Sequence, residues 1–311
     1  MAEKIHDLVI VGGGPSALSA AIYTAREDIE TIVYEKGVVG GIVATIDKID
    51  NYPGFPDGIE GFTLAEDFEK QAKRFGAVVE FGDVTGLTDN NGIKTLIVDE
   101  SEVKAKSVLI STGRRYSKIG VPGENEYFGR GVHYCATCDG AFYHGKKLIV
   151  VGGGNSAVQE AIYLTRFATH IDLLVRSSIR ASEILKHDLD DMVKAGKITV
   201  HLNTSITEVL AENNHVYAVD AIKNGKKVKF EINGIFVFVG MKPNTEFLDG
   251  SGIKLSEEGF IETDHELMTN IPGIFASGDV RCGATMQIAS AAGEGVTAAK
   301  SIREYLHSLD R

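Results

Sequence analysis

Apolar residues along this chain gather into short unbroken runs, and several of those runs end in glycine. Leu8-Val9-Ile10-Val11 runs into Gly12-Gly13-Gly14-Pro15-Ser16-Ala17, and Thr31-Ile32-Val33-Tyr34 closes with Glu35. Continuous runs of this kind are what strands buried on both faces of a parallel sheet require. Between them Leu18, Ala21, Ile22 and Ala25 recur at helical spacing, and the small residues among them let that helix lie close on the sheet. The unit returns 140 residues later, from Gly12 to Gly152. There Lys147-Leu148-Ile149-Val150-Val151 meets Gly152-Gly153-Gly154-Asn155-Ser156-Ala157, Ala157, Val158, Ala161, Ile162 and Leu164 mark a helix, and Ile171 to Val175 forms the next strand.

Weaker patterns fill the intervals. Residues 63–75 predict a helix with Leu64, Phe68, Ala72 and Phe75 on one face, and Asp89-Asn90-Asn91-Gly92 reads as a hairpin turn. Lys106 to Ile110 is a strand ending in Ser111-Thr112-Gly113, Ile235 to Val239 is another, and Gly273-Ile274-Phe275-Ala276-Ser277 is a strand ending in Gly278-Asp279. An Ala- and Gly-rich helix follows near residues 286–306. The polar, basic stretch Arg114 to Gly120 has the composition of a linker, and Met241 to Thr245 reads as the return. Only about 115 residues precede the second unit, so the C-terminal tail is expected to complete the first domain. The predicted fold is α/β: two Rossmann-like, three-layer nucleotide-binding domains, the second inserted in the first. Residues 1–117 and 245–311 make the first domain and 118–244 the second.

Composition narrows the classes. With 311 residues and 43% hydrophobic content the chain is long enough for two cores. A net charge of -11 argues against a nucleic-acid surface, which needs clustered Lys and Arg. No run approaches the roughly 18 apolar residues that span a bilayer, so no membrane partner is expected. Met1 to Asp7 leads into the first strand without the plan of a signal peptide, and the expected location is cytoplasmic. In a reducing compartment a Cys-x-x-Cys is catalytic rather than structural, and three cysteines are too few for a disulfide-built scaffold. Cys282, the third, reads as an unreactive small residue.

The candidate chemistry centres on Tyr134-Cys135-Ala136-Thr137-Cys138-Asp139-Gly140. Two intervening residues let one helical turn bring both sulfurs within disulfide reach, and a helix start there stabilises a thiolate. Asp139 is placed to move a proton during dithiol–disulfide exchange. Half a zinc site is the alternative, but no second Cys-x-x-Cys or paired-His motif follows, so no metal is expected. His133 and His144 lack metal spacing and read as ordinary hydrogen-bonding or surface histidines. In the first glycine loop Gly12 and Gly14 allow a tight turn and close approach of a pyrophosphate, and Glu35 can accept from ribose hydroxyls. In the second, Arg176-Ser177-Ser178-Ile179-Arg180 stands where an acid would be, a set that accommodates a 2′-phosphate. Two different nucleotides are therefore implied, with solvated surface arginines the alternative for Arg176 and Arg180. Gly40-Gly41, the turn-rich Asp50 to Phe55 and the strand end at Thr112-Gly113 are of the kind that contacts a ligand, although residue type alone does not assign them.

Over essentially its full length the chain resembles the low-molecular-weight thioredoxin reductases, flavoproteins with two dinucleotide-binding domains. The resemblance rests on Gly12 to Pro15 with Glu35, Asn51-Tyr52-Pro53-Gly54-Phe55, Thr112-Gly113, Val121-Pro122-Gly123-Glu124, Cys135 to Gly140, Gly152 to Ala157, Gly278-Asp279, and Gln287 to Glu294. It implies FAD at Gly12, Gly14, Pro15, Ser16, Glu35, Gly41, Asn51, Thr112, Gly113, Gly278, Asp279, Gln287, Ile288 and Ala289. It implies NADPH at Gly154, Asn155, Ser156, Arg176, Ser177 and Arg180. It further implies a homodimer, Cys138 nearer the flavin, Cys135 attacking the substrate, Asp139 as general acid/base, and electron flow from NADPH through FAD and the dithiol to oxidised thioredoxin. The chain departs from the family at Ser177, where a third arginine is common, at Ile42, where Gln is common, and at Met286, where Arg is common.

The competing readings keep the flavin and dithiol but change the donor to NADH or ferredoxin, or the acceptor to another small redox protein. A flavin- or zinc-binding regulator on the same scaffold is the reading from a different class.

Overall fold

A computed structural model describes residues 4–46 and 48–309. Residues 1–3 of the stretch read as leading into the first strand lie outside the described residues. The chain divides into two compact units, one formed by the chain up to Arg115 together with Lys242 onward, the other by Tyr116–Met241.

In chain order the first unit opens with β1 (Ile5–Val11), α1 (Pro15–Arg26), β2 (Thr31–Glu35), α2 (Gly61–Arg74), β3 (Val78–Phe81), β4 (Val84–Asn90), β5 (Ile93–Val98) and β6 (Ser101–Ile110), then reaches β7 (Arg114–Tyr116). The second holds β8 (Val132–His133), α3 (Ala136–Asp139), β9 (Lys147–Val151), α4 (Asn155–Leu164), β10 (His170–Leu174), α5 (Glu183–Lys194), β11 (Ile198–His201), β12 (Thr204–Glu212), β13 (His215–Lys223), β14 (Lys226–Glu231) and β15 (Gly234–Val237). The chain then returns through β16 (Met241–Pro243) to β17 (Ile274–Ala276) and α6 (Ile288–Leu309).

The first sheet has the order β3-β2-β1-β6-β5-β4, and β17 also pairs with β6. The long strand β6 changes partner along one edge. Its first half pairs antiparallel with β5, as in Val98 opposite Ser101, and its second half pairs parallel with β17, as in Ile274 opposite Val108. The unbroken apolar run of β1 is explained by burial on both faces. Leu8 and Ile10 pack with Ala17, Ala21, Leu109 and Phe275 under the helices, while Val9 and Val11 pack with Leu96, Val108 and Ala276 on the other side. At the predicted hairpin, Asn91 and Gly92 both take positive φ between the paired Asn90 and Ile93, which is the tight turn whose twist suits two strands.

In the second unit the strands β11-β10-β9-β15-β8 run parallel. Helix α4 covers one face, with Ala157, Val158 and Ala161 against Leu148 and Val150. The third layer is the antiparallel meander β12-β13-β14, which brings Val209, Val216 and Val219 onto Ile149, Val151 and Ile235. Both units are thus layered α/β nucleotide-binding folds of the Rossmann type.

Helix α6 packs along α1 so closely that a Cβ at Gly295 would collide with the Ser16 carbonyl. Alanine would ordinarily gain about 1 kcal/mol over glycine inside a helix, yet backbone cannot yield as a flexible side chain can. Gly295→Ala is expected to lower stability by about 1–3 kcal/mol. Gly293→Ala, at an exposed position of the same helix with nothing within 4 Å of the added carbon, is expected to gain roughly 0.5–1 kcal/mol. Urea unfolding midpoints of the two variants check both signs.

Candidate active site and nucleotide-binding loops

The short strand β8 delivers the chain to the cysteine pair. Cys135 takes an extended backbone conformation as the N-cap of α3, and its Sγ accepts the Cys138 N–H at 3.2 Å. Cys135 and Cys138 form a disulfide, with their Cα atoms 5.4 Å apart. The Thr137 hydroxyl lies 3.4 Å from the Cys135 sulfur. A side-chain oxygen normally caps a helix in this way; here sulfur does, so two donors are in place for a Cys135 thiolate once the disulfide opens. Gly140 allows the turn to seat on α4: a Cβ there would come within 2.8 Å of the Leu164 side chain.

Residues flanking the pair are tied down from both sides. Tyr134, buried immediately before Cys135, donates its phenol O–H to Glu124 Oε1 at 2.8 Å. Glu124 is itself 1% exposed and accepts the Ile119 and Gly120 N–H groups at 2.9 and 2.7 Å. Tyr116 stacks on the Tyr134 ring at 4.8 Å. Burial, and then the hydrogen bond to Glu124, push the Tyr134 phenol far above its usual range, so it stays a donor. After the pair, Asp139 Oδ2 lies 3.2 Å from Nδ1 of His133, whose Nε2 is 2.7 Å from the Tyr143 hydroxyl. Of the two expectations for His133, a hydrogen-bonding or a surface histidine, the first holds: it is buried, against the one carboxylate that the sequence singles out for proton transfer. His144 packs edge-on to Phe167.

The first glycine loop lies at the C-terminal ends of β1, β2, β6 and β17. Gly12 has φ +99°, and a Cβ would come within 2.5 Å of the Ser111 carbonyl oxygen, so only glycine fits. Glu35 spans the loop, accepting the Gly13 N–H at 2.6 Å and the Gly37 N–H at 2.7 Å. Gly14 is the N-cap of α1 with Pro15 in the first turn and no side-chain cap, and a Cβ on Gly14 would meet nothing within 4 Å. An uncapped helix start facing open space suits a pyrophosphate. Ser277 Oγ lies 2.6 Å from Ser16 Oγ and 2.9 Å from Ser111 Oγ, knitting the ends of β6 and β17 to the loop.

Gly278 and Asp279 follow directly. The Gly278 N–H donates to Glu294 Oε2 at 2.7 Å, and Arg281 grips both Glu294 oxygens. Arg114 Nε donates to Asp279 at 3.0 Å. Burial pushes the Asp279 carboxyl up while Arg114 pulls it down. Asn51 Nδ2 donates to Gln287 Oε1 at 3.2 Å, just before Ile288 and Ala289 open α6. Gly41 starts a 3-10 turn, and the preceding Gly40 N–H donates to the Gly13 carbonyl at 2.8 Å. The Thr112 hydroxyl donates to the Asn244 carbonyl at 2.7 Å, and Asn244 N–H returns to the Gly113 carbonyl at 3.0 Å. Ile42 is 37% exposed, and Met286 has φ +61°.

In the second loop Gly152 has φ +140°, and a Cβ would collide with the Phe238 carbonyl. Gly154 is the N-cap of α4, again without a side-chain cap. Asn155 Oδ1 accepts the Ser182 N–H at 2.8 Å, Ser156 is exposed, and the Arg180 N–H donates to the Gly153 carbonyl at 2.6 Å. The segment carrying Arg176, Ser177 and Arg180 is therefore fastened by backbone to the glycine loop while those three side chains stay exposed. Among the described residues neither guanidinium has a carboxylate partner. No group of three or more His, Cys, Asp or Glu that could hold a metal ion occurs among the described residues.

His133, Tyr143, Glu124, Ser111, Ser277, Arg114 and Glu294 had no role in the sequence expectations. Glu124 stands in one of the motifs that carry the resemblance, whereas only nearness in sequence to the cysteines could have flagged His133 and Tyr143. The contacts themselves depend on strand pairing.

A parallel-sheet nucleotide fold with a dithiol in its second unit defines a disulfide oxidoreductase scaffold, and the chain belongs to the pyridine nucleotide-disulphide oxidoreductase family, whose sequence profile it matches over residues 6–295. It is similar to a thioredoxin reductase of Bacillus subtilis strain 168, 41% identical over 310 residues, which cover 99% of this chain and 96% of the relative. It is 37% identical over 317 residues to NADPH-dependent thioredoxin reductase 3 of Arabidopsis thaliana, covering 98% of this chain and 59% of that protein. The crystal structure of a thioredoxin reductase from Streptococcus pyogenes MGAS5005 superimposes with a TM-score of 0.93 at 36% identity, covering 99% of this chain and all of the other. Membership of the family implies a flavin and a nicotinamide cofactor. Among the described residues no helix is long and apolar enough to cross a membrane.

Tyr134→Phe deletes the O–H that Glu124 accepts inside the second unit, and is expected to cost about 1–3 kcal/mol. Faster hydrogen exchange at Ile119 and Gly120 would report it. On α4, burial raises the Glu160 carboxyl above its usual range. Its folded value exceeds its unfolded one, so between the two the folded state binds more protons and stability falls as pH rises. Glu160→Gln is therefore expected to melt higher than the parent at pH 7, an advantage that disappears as pH drops from the folded to the unfolded value.

Proposed function

We propose that the chain is a thioredoxin-disulfide reductase, passing electrons from NADPH through FAD and the Cys135/Cys138 pair to oxidised thioredoxin. The observation that carries the reading is the Cys135–Cys138 disulfide capping α3 inside a nucleotide-binding unit, with Asp139 beside it. The thioredoxin reductases of Bacillus subtilis and Arabidopsis thaliana support the acceptor, and the latter's name supports the donor.

FAD is assigned to the first unit, at Gly12, Gly14, Pro15, Ser16, Glu35, Gly41, Asn51, Thr112, Gly113, Gly278, Asp279, Gln287, Ile288 and Ala289, with the uncapped start of α1 at Gly14 and Pro15 offered to its pyrophosphate. NADPH fits the second, where Gly154, Asn155 and Ser156 open α4 and Arg176, Ser177 and Arg180 offer charge to a 2′-phosphate. Bound flavin supplies the conversion of a hydride equivalent into electrons that a disulfide accepts.

The protein groups do the rest. Opened by two electrons and one proton, which stays on Cys138, the pair presents Cys135, held by the Cys138 N–H and the Thr137 hydroxyl, as the attacking thiolate. Cys138 then closes the disulfide and releases the substrate dithiol, while Asp139 exchanges the proton. The dithiol must be about as reducing as thioredoxin, near -270 mV, since 30 mV is worth about 1.4 kcal/mol in this two-electron couple. A homodimer and a cytoplasmic location complete the reading. Ser177, in place of a third arginine, favours NADH as the competing donor.

The test is reduction of insulin disulfides through thioredoxin by the purified holoenzyme with NADPH or NADH. NADPH is expected to be preferred, and replacing Arg176 and Arg180 with Ala should raise its KM about 10–100-fold, the value of lost charge-assisted bonds, with NADH unaffected. Cys138→Ser should abolish turnover and keep the flavin spectrum. Thioredoxin reduction by that variant would end the proposal, and NADH preference would shift it to the other donor.

A further inference from the structure

We propose that His133 is a positioning residue for Asp139: a fixed imidazole whose Nδ1–H holds one carboxylate oxygen and leaves the other to carry the proton of the cysteine pair. The inference rests on the dithiol chemistry just described, but not on the identity of donor or acceptor.

The argument begins with Tyr143. Its phenol is pushed far above the usual range by burial, and further by the Asp139 charge, so it keeps its O–H. That O–H needs an acceptor, and His133 Nε2 lies 2.7 Å away. An Nε2 that accepts has no proton, so the ring proton sits on Nδ1, 3.2 Å from Asp139 Oδ2. Among the described residues Asp139 Oδ1 takes no hydrogen bond. The carboxylate is thus gripped on one side and free on the other.

The ring has no room to turn. His133 is 4% exposed and lies opposite Phe236 in the pairing of β8 with β15. Its imidazole stacks on the Phe236 ring at 5.1 Å and meets the Tyr143 ring edge-on at 5.3 Å. Tyr143 is seated in turn on Gly234, where a Cβ would come within 2.5 Å of the ring. A catalytic group held by a packed, hydrogen-bonded neighbour is the arrangement that preorganised sites use.

The step served is the second half of disulfide exchange. Cys138 gives its proton to Asp139, and its sulfur electron pair attacks the Cys135 sulfur of a mixed disulfide. The bond between Cys135 and the substrate sulfur breaks, its pair leaves with the substrate sulfur, and Asp139 returns the proton there. Two electrons pass to the substrate and the Cys135–Cys138 disulfide reforms. The first attack, by a Cys135 thiolate, makes no use of Asp139.

The test uses dithiothreitol-reduced, desalted holoenzyme in a Cys282→Ser background, reacted with 5,5′-dithiobis(2-nitrobenzoate). Cys135 releases the first thionitrobenzoate and the closing attack by Cys138 releases the second. His133→Phe keeps the ring stack and removes both nitrogens; it is expected to slow the second release about tenfold or more and leave the first unchanged. His133→Asn, which restores an N–H toward Asp139, should recover most of that loss. Nitrogen-15 NMR of the parent should show His133 protonated at Nδ1, and Tyr143→Phe should redistribute that proton between the two nitrogens. Equal slowing of both releases, an asparagine variant as slow as the phenylalanine one, or an Nε2-protonated ring in the parent would each overturn the proposal. If His133→Phe fails to fold, the tautomer and its response to Tyr143→Phe decide alone. Thioredoxin and nicotinamides are absent from this assay, so its failure is separate from failure of the proposed overall reaction.

Discussion

The first unit depends on a geometric demand of β6. This ten-residue strand is covered along one edge by β5 for its first half only, and the second half stays open until β17 arrives from a part of the chain that follows the whole second unit. An uncovered edge there would leave backbone donors and acceptors unpaired in a buried sheet. Closing it with C-terminal residues sets Ser277 against Ser16 and Ser111, and with them Gly278 and Asp279 beside the first glycine loop. The nucleotide crevice of that unit is thus assembled from chain ends through one strand pairing, and α6 locks the arrangement by lying on α1.

Both glycine loops obey the same rule and diverge after the second strand. Gly12 and Gly152 are each forced by a neighbouring carbonyl, and each loop ends in an uncapped helix start. The difference is that Glu35 folds back on the first loop, whereas the second is followed by exposed Arg176 and Arg180. A carboxylate that bridges two backbone N–H groups suits neutral sugar hydroxyls; unpaired guanidinium groups suit an additional phosphate. The residues by which the two units differ lie outside the glycine turn itself, which is where the proposed difference in ligand would be read.

What was legible in the sequence was local. The central strands, the glycine turns, the Asn91-Gly92 hairpin and the cysteine spacing each carry their signal within a dozen residues. The meander β12-β13-β14 gave no such signal, because irregularities between Ile206 and Glu208 and between Leu210 and Ala211 break the two-residue alternation by which half-buried strands are read. Site partners were illegible for another reason. Glu124 matters because Tyr134 points at it, and His133 because Phe236 and Tyr143 hold its ring; side-chain direction at these positions is fixed by strand pairing and packing, which no residue type announces. Gly295 likewise reads as a poor helix residue until the neighbouring helix is present.

In the proposed reaction the sulfur of Cys135 has two occupations: it is the reagent of the pair and the cap of the helix that carries its partner. A disulfide sulfur is a weak acceptor and a thiolate a strong one. On that reading each turnover would tighten and loosen the first turn of α3 in step with the oxidation state. The amide of Cys138 becomes a gauge of electron occupancy written into the backbone, and a partner that closes over this turn meets a stiffer surface when the protein is charged with electrons than when it is spent.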